Sequence, residues 1–153
     1  MKKKAFVPAD FVVPSVLETD RFRLRMLSVA DVEKDYEAVM ETQAYFHSRG
    51  STWPREGFTI EENLADLERH QQEFLDRKAF AYTVVTLDEE RVLGCVYINP
   101  TEREAADAVA HMWVRQSEYD LGLDPVLFQT VKDWLASSWP FSAVYYGRER
   151  EEW

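Results

Sequence analysis

Apolar and polar residues alternate from Phe22 to Met26, with Phe22, Leu24 and Met26 set against Arg23 and Arg25, which predicts a half-buried strand. The period then changes. Val29, Val32, Tyr36 and Val39 or Met40 recur at helical spacing, with Ser28 placed as N-cap and Asp31 near the positive end of the dipole. The pattern breaks from Thr42 to Phe58, a stretch holding Tyr45, Phe46, His47, Trp53, Pro54 and Gly57. It reads as a long aromatic-rich loop, a kind of segment that often carries function. Thr59 and Glu62 then form a capping-box sequence, and Ile60, Leu64, Leu67, Phe74 and Leu75 carry a second helix to about Lys78.

Phe80 to Leu87 is rich in β-branched and aromatic residues, Asp88 to Glu90 is a turn, and Arg91 to Asn99 returns as the second arm of a hairpin ended by Pro100. After a polar turn from Glu102 to Asp107 comes a strand, Ala108 to Val114, and a loop, Arg115 to Leu123. Asp124 and Pro125 open a helix as N-cap and first helical residue, and Val126, Leu127, Phe128, Val131, Trp134 and Leu135 form its apolar stripe. Phe141 to Tyr146 is the last strand. The order β, α, α, β, β, β, α, β predicts an α+β fold: antiparallel strands, then one right-handed parallel β-α-β crossover, with helices on the faces of a mixed sheet. Trp113 and Trp134 are expected to pack between sheet and helix. Residues 1–17, punctuated by Pro8 and Pro14, read as an extended arm of a single 1–153 domain.

At 46% hydrophobic residues the 153-residue chain is expected to fold around a real core, and it holds no apolar run of membrane-spanning length. Met1 to Lys4 resembles the start of a signal peptide, but the apolar segment that should follow is short and broken, so a cytoplasmic location is expected. The lone Cys95, inside an apolar strand, reads as a buried inert thiol; with three scattered histidines it supplies no metal-binding cluster. A net charge of −10 argues against nucleic-acid binding. The same charge fits a cationic or amine-bearing small molecule, and equally fits plain solubility.

Residues Leu17 to Arg25, the hairpin arm Val92 to Pro100, the strand end Met112 to Val114, the helix Val126 to Leu135 and Trp139 to Phe141 together resemble the GCN5-related N-acetyltransferase superfamily in order and spacing. The resemblance covers roughly Leu17 to Tyr146 and implies an acyl-CoA N-acyltransferase-like sheet. It implies acetyl-CoA as co-substrate, its pantetheine arm between the strands on either side of the crossover, and transfer of the acyl group to an amine. On that basis Val114, Arg115, Gln116, Leu121, Gly122, Leu123 and Asp124 are the candidate cofactor residues. His111, on the strand beside the thioester, is the candidate general base. Tyr45, His47 and Trp53 are candidates for binding the acceptor.

The chain departs from the family pattern Arg/Gln-x-x-Gly-x-Gly/Ala. Asp120 stands at the Arg/Gln position, Leu123 at the first glycine and Pro125 at the last, with Gly122 one place early. Asp120 and Asp124 put negative charge where a pyrophosphate docks, and Pro125 removes an N–H. The family continues past the last strand with a helix and two further strands, where this chain has only residues 147–153, so a C-terminally shortened variant is expected. Its open sheet edge invites a homodimer or cover by the N-terminal arm. The sequence thus leaves open an N-acetyltransferase for a small amine, a non-catalytic relative binding a small ligand or protein in the same cleft, and a dimeric scaffold.

Overall fold

The computed structural model describes residues 5–146; the basic start and the charged tail lie outside them. Six strands form one sheet whose spatial order equals chain order: β1 Val16–Glu18, β2 Arg23–Met26, β3 Phe80–Val85, β4 Val92–Asn99, β5 Ala108–Val114 and β6 Val144–Tyr146. All neighbours are antiparallel except β5 and β6, which are parallel and joined by the expected crossover. The helices are α1 Val32–Ser48, α2 Ile60–Leu75, the short α3 Gln116–Asp120 and α4 Leu123–Ser138.

Tyr82, Val84, Val96, Ile98 and Ala110 pack in one core with Leu127, Val131, Trp134 and Leu135 of α4. On the opposite face Ala81 and Cys95 pack with Leu67 of α2, with Tyr97 and Trp113 alongside. With helices on both faces, β3 is buried at all six positions rather than alternating. Trp113 and Trp134 each pack between sheet and helix as expected, but on opposite faces: Trp113 against Phe46 of α1 and Trp134 of α4 against Tyr82.

Element boundaries also depart from the sequence reading: the last strand begins at Val144, α2 ends at Leu75, and the loop after β5 contains α3. Helix α1 runs on to Ser48, so Tyr45, Phe46 and His47 are helical. The extra turn is held by packing: Tyr45 meets Tyr119 at 5.0 Å and Phe46 meets Trp113 edge-on at 5.4 Å. Helix α4 begins at Leu123 with Gly122 as N-cap at φ 87°, a left-handed conformation suited to glycine, so Asp124 is not the cap. Asp124 lies inside the first turn and is only 5% exposed. The arm is also more than a lead-in, because Val16–Glu18 pairs with β2. Its Phe6 stacks on Phe80 and Phe141 at 5.7 and 5.3 Å, and Arg77 donates to the Pro8 and Phe11 carbonyls at 2.8 and 3.0 Å.

The described part of the arm thus adds to the β1–β2 side and does not pair with the described part of β6. Among the described residues, no strand pairs with the outer edge of β6 and no helix is long and apolar enough to cross a membrane.

Candidate active site

Register places the site. Cys95 on β4 sits opposite Trp113 on β5, and Tyr97 opposite His111. Cross-strand partners share a face, here the one under α1 and α2. A cavity of about 720 Å³ opens there, lined among others by Trp53, His70, Tyr97, His111 and Trp113. Its aromatic walls brace one another: Trp53 lies 5.5 Å from Phe46, His70 5.2 Å from Tyr97, and Trp113 Nε1 donates to Tyr97 Oη at 3.1 Å.

The cavity also reaches a buried carboxylate, Asp35 of α1, which is 3% exposed. Asn63 Nδ2 of α2 donates to one of its oxygens at 3.0 Å, and the Cys95 thiol approaches the other at 3.6 Å. One amide and one weak thiol donor leave an ionised carboxylate under-solvated. Burial raises the Asp35 pKa to about 6, the Asn63 hydrogen bond opposing it. Burial likewise pushes up the Cys95 thiol and the Tyr97 hydroxyl, so neither ionises readily. His111 presents an exposed ring edge at the cleft, and His70 is half-buried. Desolvation lowers both imidazole pKa values, which keeps both rings neutral at pH 7.

Along its other edge β5 pairs in parallel with β6, from Ala108↔Val144 to Ala110↔Tyr146, the last described residue.

The connection leading to α4 is more closed than a phosphate cradle. Arg115 is 3% exposed and its guanidinium is turned under α1, donating to Glu41, Glu37 and the Val92 carbonyl. Gln116 and Ser117 give their N–H groups to Thr42 Oγ1 and Glu41, those of Glu118 and Tyr119 go to the Arg115 carbonyl, and those of Leu121 and Gly122 close the turn. The first turn of α4 carries the N–H groups of Leu123, Asp124 and Val126, and none from Pro125. Asp124 is buried there beside Tyr45, whose pKa rises through burial, the Tyr119 contact and this charge. Leu123 is in the core, and Asp120 is held by Gln116 Nε2 at 2.9 Å.

Of the residues singled out from sequence, His111 and Trp53 meet at the cleft. Tyr45 packs on Tyr119 toward the β5–α4 connection. His47 ties α1 to the following loop, its Nε2 2.6 Å from the Pro54 carbonyl. Val114 is buried opposite Gly94, and Leu121 is exposed beside the α4 start. Sequence reasoning passed over Asp35, Asn63 and Glu41. A signal for the first two was present: Asp35 follows Val32 by three and precedes Val39 by four, and Asn63 stands likewise between Ile60 and Leu67. Each is a polar residue inside an apolar helical stripe.

No protein-family model matches the chain, and no curated protein matches it in sequence. Solved structures do. The Microcin C7 self immunity acetyltransferase MccE, solved with acetyl-CoA and AMP, superposes with a TM-score of 0.64 at 15% identity over 81% of this chain and 66% of that one. RimL, a ribosomal L7/L12 alpha-N-protein acetyltransferase in complex with coenzyme A, gives 0.63 at 15% identity, covering 79% and 67% of the two chains. An acetyltransferase from Thermus thermophilus gives 0.55 at 18% identity, covering 79% and 71%. The chain thus spans about two thirds of the length of the first two. From the mixed six-stranded sheet, its one parallel β5–β6 pair and these superpositions, the chain carries the fold of the GCN5-related N-acetyltransferases.

Proposed function

We propose that this chain is an acetyl-CoA-dependent N-acetyltransferase acting on a small amine. The observation that carries this reading is the cleft that opens on β5 at His111 and Trp113, in a fold shared with acetyltransferases solved with acetyl-CoA and coenzyme A. An extended thioester-bearing arm on one side of β5 and an amine on the other meet at that strand. Acetyl-CoA supplies the activated acyl group. The β5 edge from His111 to Val114 aligns its arm, and the first turn of α4 receives its phosphates. His111, neutral at pH 7, accepts the proton that the amine loses as it attacks. Trp53 closes the cleft over the acceptor. The co-substrate assignment is supported by the bound acetyl-CoA and coenzyme A named for MccE and RimL. RimL acts on a protein, so a peptide amine stands beside the free small molecule as acceptor. We place this activity in the cytoplasm, in a homodimer formed through the outer edge of β6.

One observation favours a second reading, a non-catalytic relative that binds a small ligand or a protein in the cleft. The N–H groups and the arginine after β5 are occupied by internal carboxylates and carbonyls. Release of coenzyme A thiol from acetyl-CoA, followed over a panel of primary amines, separates the two. Amine-dependent release supports the enzyme, and none with any amine favours the binding module.

A further inference from the structure

The floor of the cleft differs in chemistry from its rim. Asp35 presents a carboxylate to the cavity, with one amide donor and a thiol at 3.6 Å as its partners. Phe46, Trp53, Tyr97 and Trp113 line the same cavity, Phe46 meeting Trp53 tilted at 5.5 Å and Trp113 edge-on at 5.4 Å. The other charged groups at the cavity are engaged at its rim. Arg69 lies 3.9 Å from Asp66 and 3.5 Å from Glu73, and the Arg49 guanidinium donates to the Tyr45 hydroxyl at 3.2 Å. Both imidazoles at the cleft, His70 and His111, are neutral at pH 7.

We propose that Asp35 anchors the positive charge of the molecule that enters this cleft, which selects an organic cation carrying a primary ammonium on an apolar or aromatic body. The inference rests on the acceptor-site reading given above and names its substrate class; the bound ammonium gives up one proton to water before its nitrogen attacks, and His111 takes the second. Three arguments support it. A carboxylate under-supplied with donors gains hydrogen bonds when an ammonium with its N–H groups arrives. Aromatic faces attract a cation most strongly where water is excluded. A buried carboxylate raised to about 6 also costs the protein stability when ionised, and a stability cost localised in a cavity wall is characteristic of a functional group. Asn63 then acts as a positioning residue, fixing the carboxylate through its amide.

Calorimetric titration with phenethylammonium and with its neutral isostere, phenethyl alcohol, tests this at pH 7.5 in the absence of acetyl-CoA. The expected result is one-site binding of the amine at least about tenfold tighter than the alcohol. Asp35→Asn, nearly isosteric and able to keep the Asn63 contact, abolishes that preference, and the alcohol binds the variant as it binds the wild type. Trp53→Ala, which leaves the buried cluster intact, weakens the amine more than the alcohol and guards against misfolding of the first variant. Equal binding of amine and alcohol, binding of neither, or an unchanged preference in Asp35→Asn overturns the inference. Because acetyl-CoA turnover is measured separately, cation-selective binding without turnover keeps this inference and defeats the acetyltransferase reading. Turnover of amines without cation selectivity does the reverse.

Discussion

Arg115 grips Glu41 with two prongs: Nε donates to one carboxylate oxygen at 3.1 Å and Nη2 to the other at 2.8 Å. The same carboxylate accepts the Ser117 N–H and hydroxyl at 2.9 and 2.8 Å. One side chain of α1 therefore fixes the start of α3 and with it the path of the chain from β5 into α4.

Glu41→Gln leaves the buried Arg115 with only the exposed Glu37 as charged partner. Breaking a buried pair costs about 3–5 kcal/mol, and the 30% exposure of the Glu41 side chain lowers the expected loss to roughly 2 kcal/mol. The Arg115 hydrogen bond holds the Glu41 carboxyl at about 2, below its ordinary 4.5. A depressed carboxyl stabilises the fold above its unfolded pKa, and that contribution fades as pH falls from 4.5 toward 2. Urea unfolding should show the full difference between wild type and variant at pH 7 and a shrinking one below pH 4.5. Equal midpoints at pH 7 contradict the assignment.

Asp35 has the opposite sign. Its pKa is raised from 3.8 to about 6, so it is neutral on both sides of folding at low pH and opposes folding once ionised. The opposition grows as pH passes 3.8 and is complete above about 6. Asp35→Asn should raise stability at pH 8 by up to roughly 2–3 kcal/mol and change it little at pH 4. A variant destabilised at pH 8 while equal to wild type at pH 4 refutes this account of the cluster.

Gly94 sets how closely β5 approaches β4. A Cβ there would lie 2.0 Å from the Trp113 carbonyl oxygen and 2.9 Å from the Val114 Cα, both backbone atoms that give little. Gly94→Ala should therefore displace the strand that carries His111 and Trp113, costing about 3 kcal/mol or preventing folding. A thermal midpoint equal to wild type would show that the strands give way.

His111→Gln removes the imidazole from an exposed position. Stability should change by less than about 0.5 kcal/mol, while acetyl transfer falls on the order of 100-fold. Depressed by desolvation, the wild-type imidazole should give the rate a limb below pH 6.5 that the variant lacks. A wild-type rate in His111→Gln removes it from the chemistry.

Strand periodicity was the most legible part of the sequence: β5 matches its expected bounds, and the antiparallel order with one parallel crossover follows from the pattern. Packing overrode local signals elsewhere. The turn from Tyr45 to Ser48 is polar enough to read as loop, yet Tyr119 and Trp113 make it helix. Asp124 with Pro125 is a good cap sequence, yet Gly122 alone takes the left-handed conformation this junction needs. For the site, His111 was visible because a histidine on that strand has a chemical reading by itself. Asp35 and Asn63 take their meaning from each other across two helices, and Tyr97 and Trp113 from the strand register, which no single segment displays.

Binding of acetyl-CoA to the wild-type protein, titrated by calorimetry at low and moderate salt, tests the central claim most directly. The account predicts saturable binding at one site in the micromolar range, weakened by salt because phosphates meet the α4 start, and abolished by a bulky thiol-reactive group placed at Met112→Cys. No heat at millimolar acetyl-CoA would contradict it and leave an acetyltransferase fold without acetyltransferase chemistry.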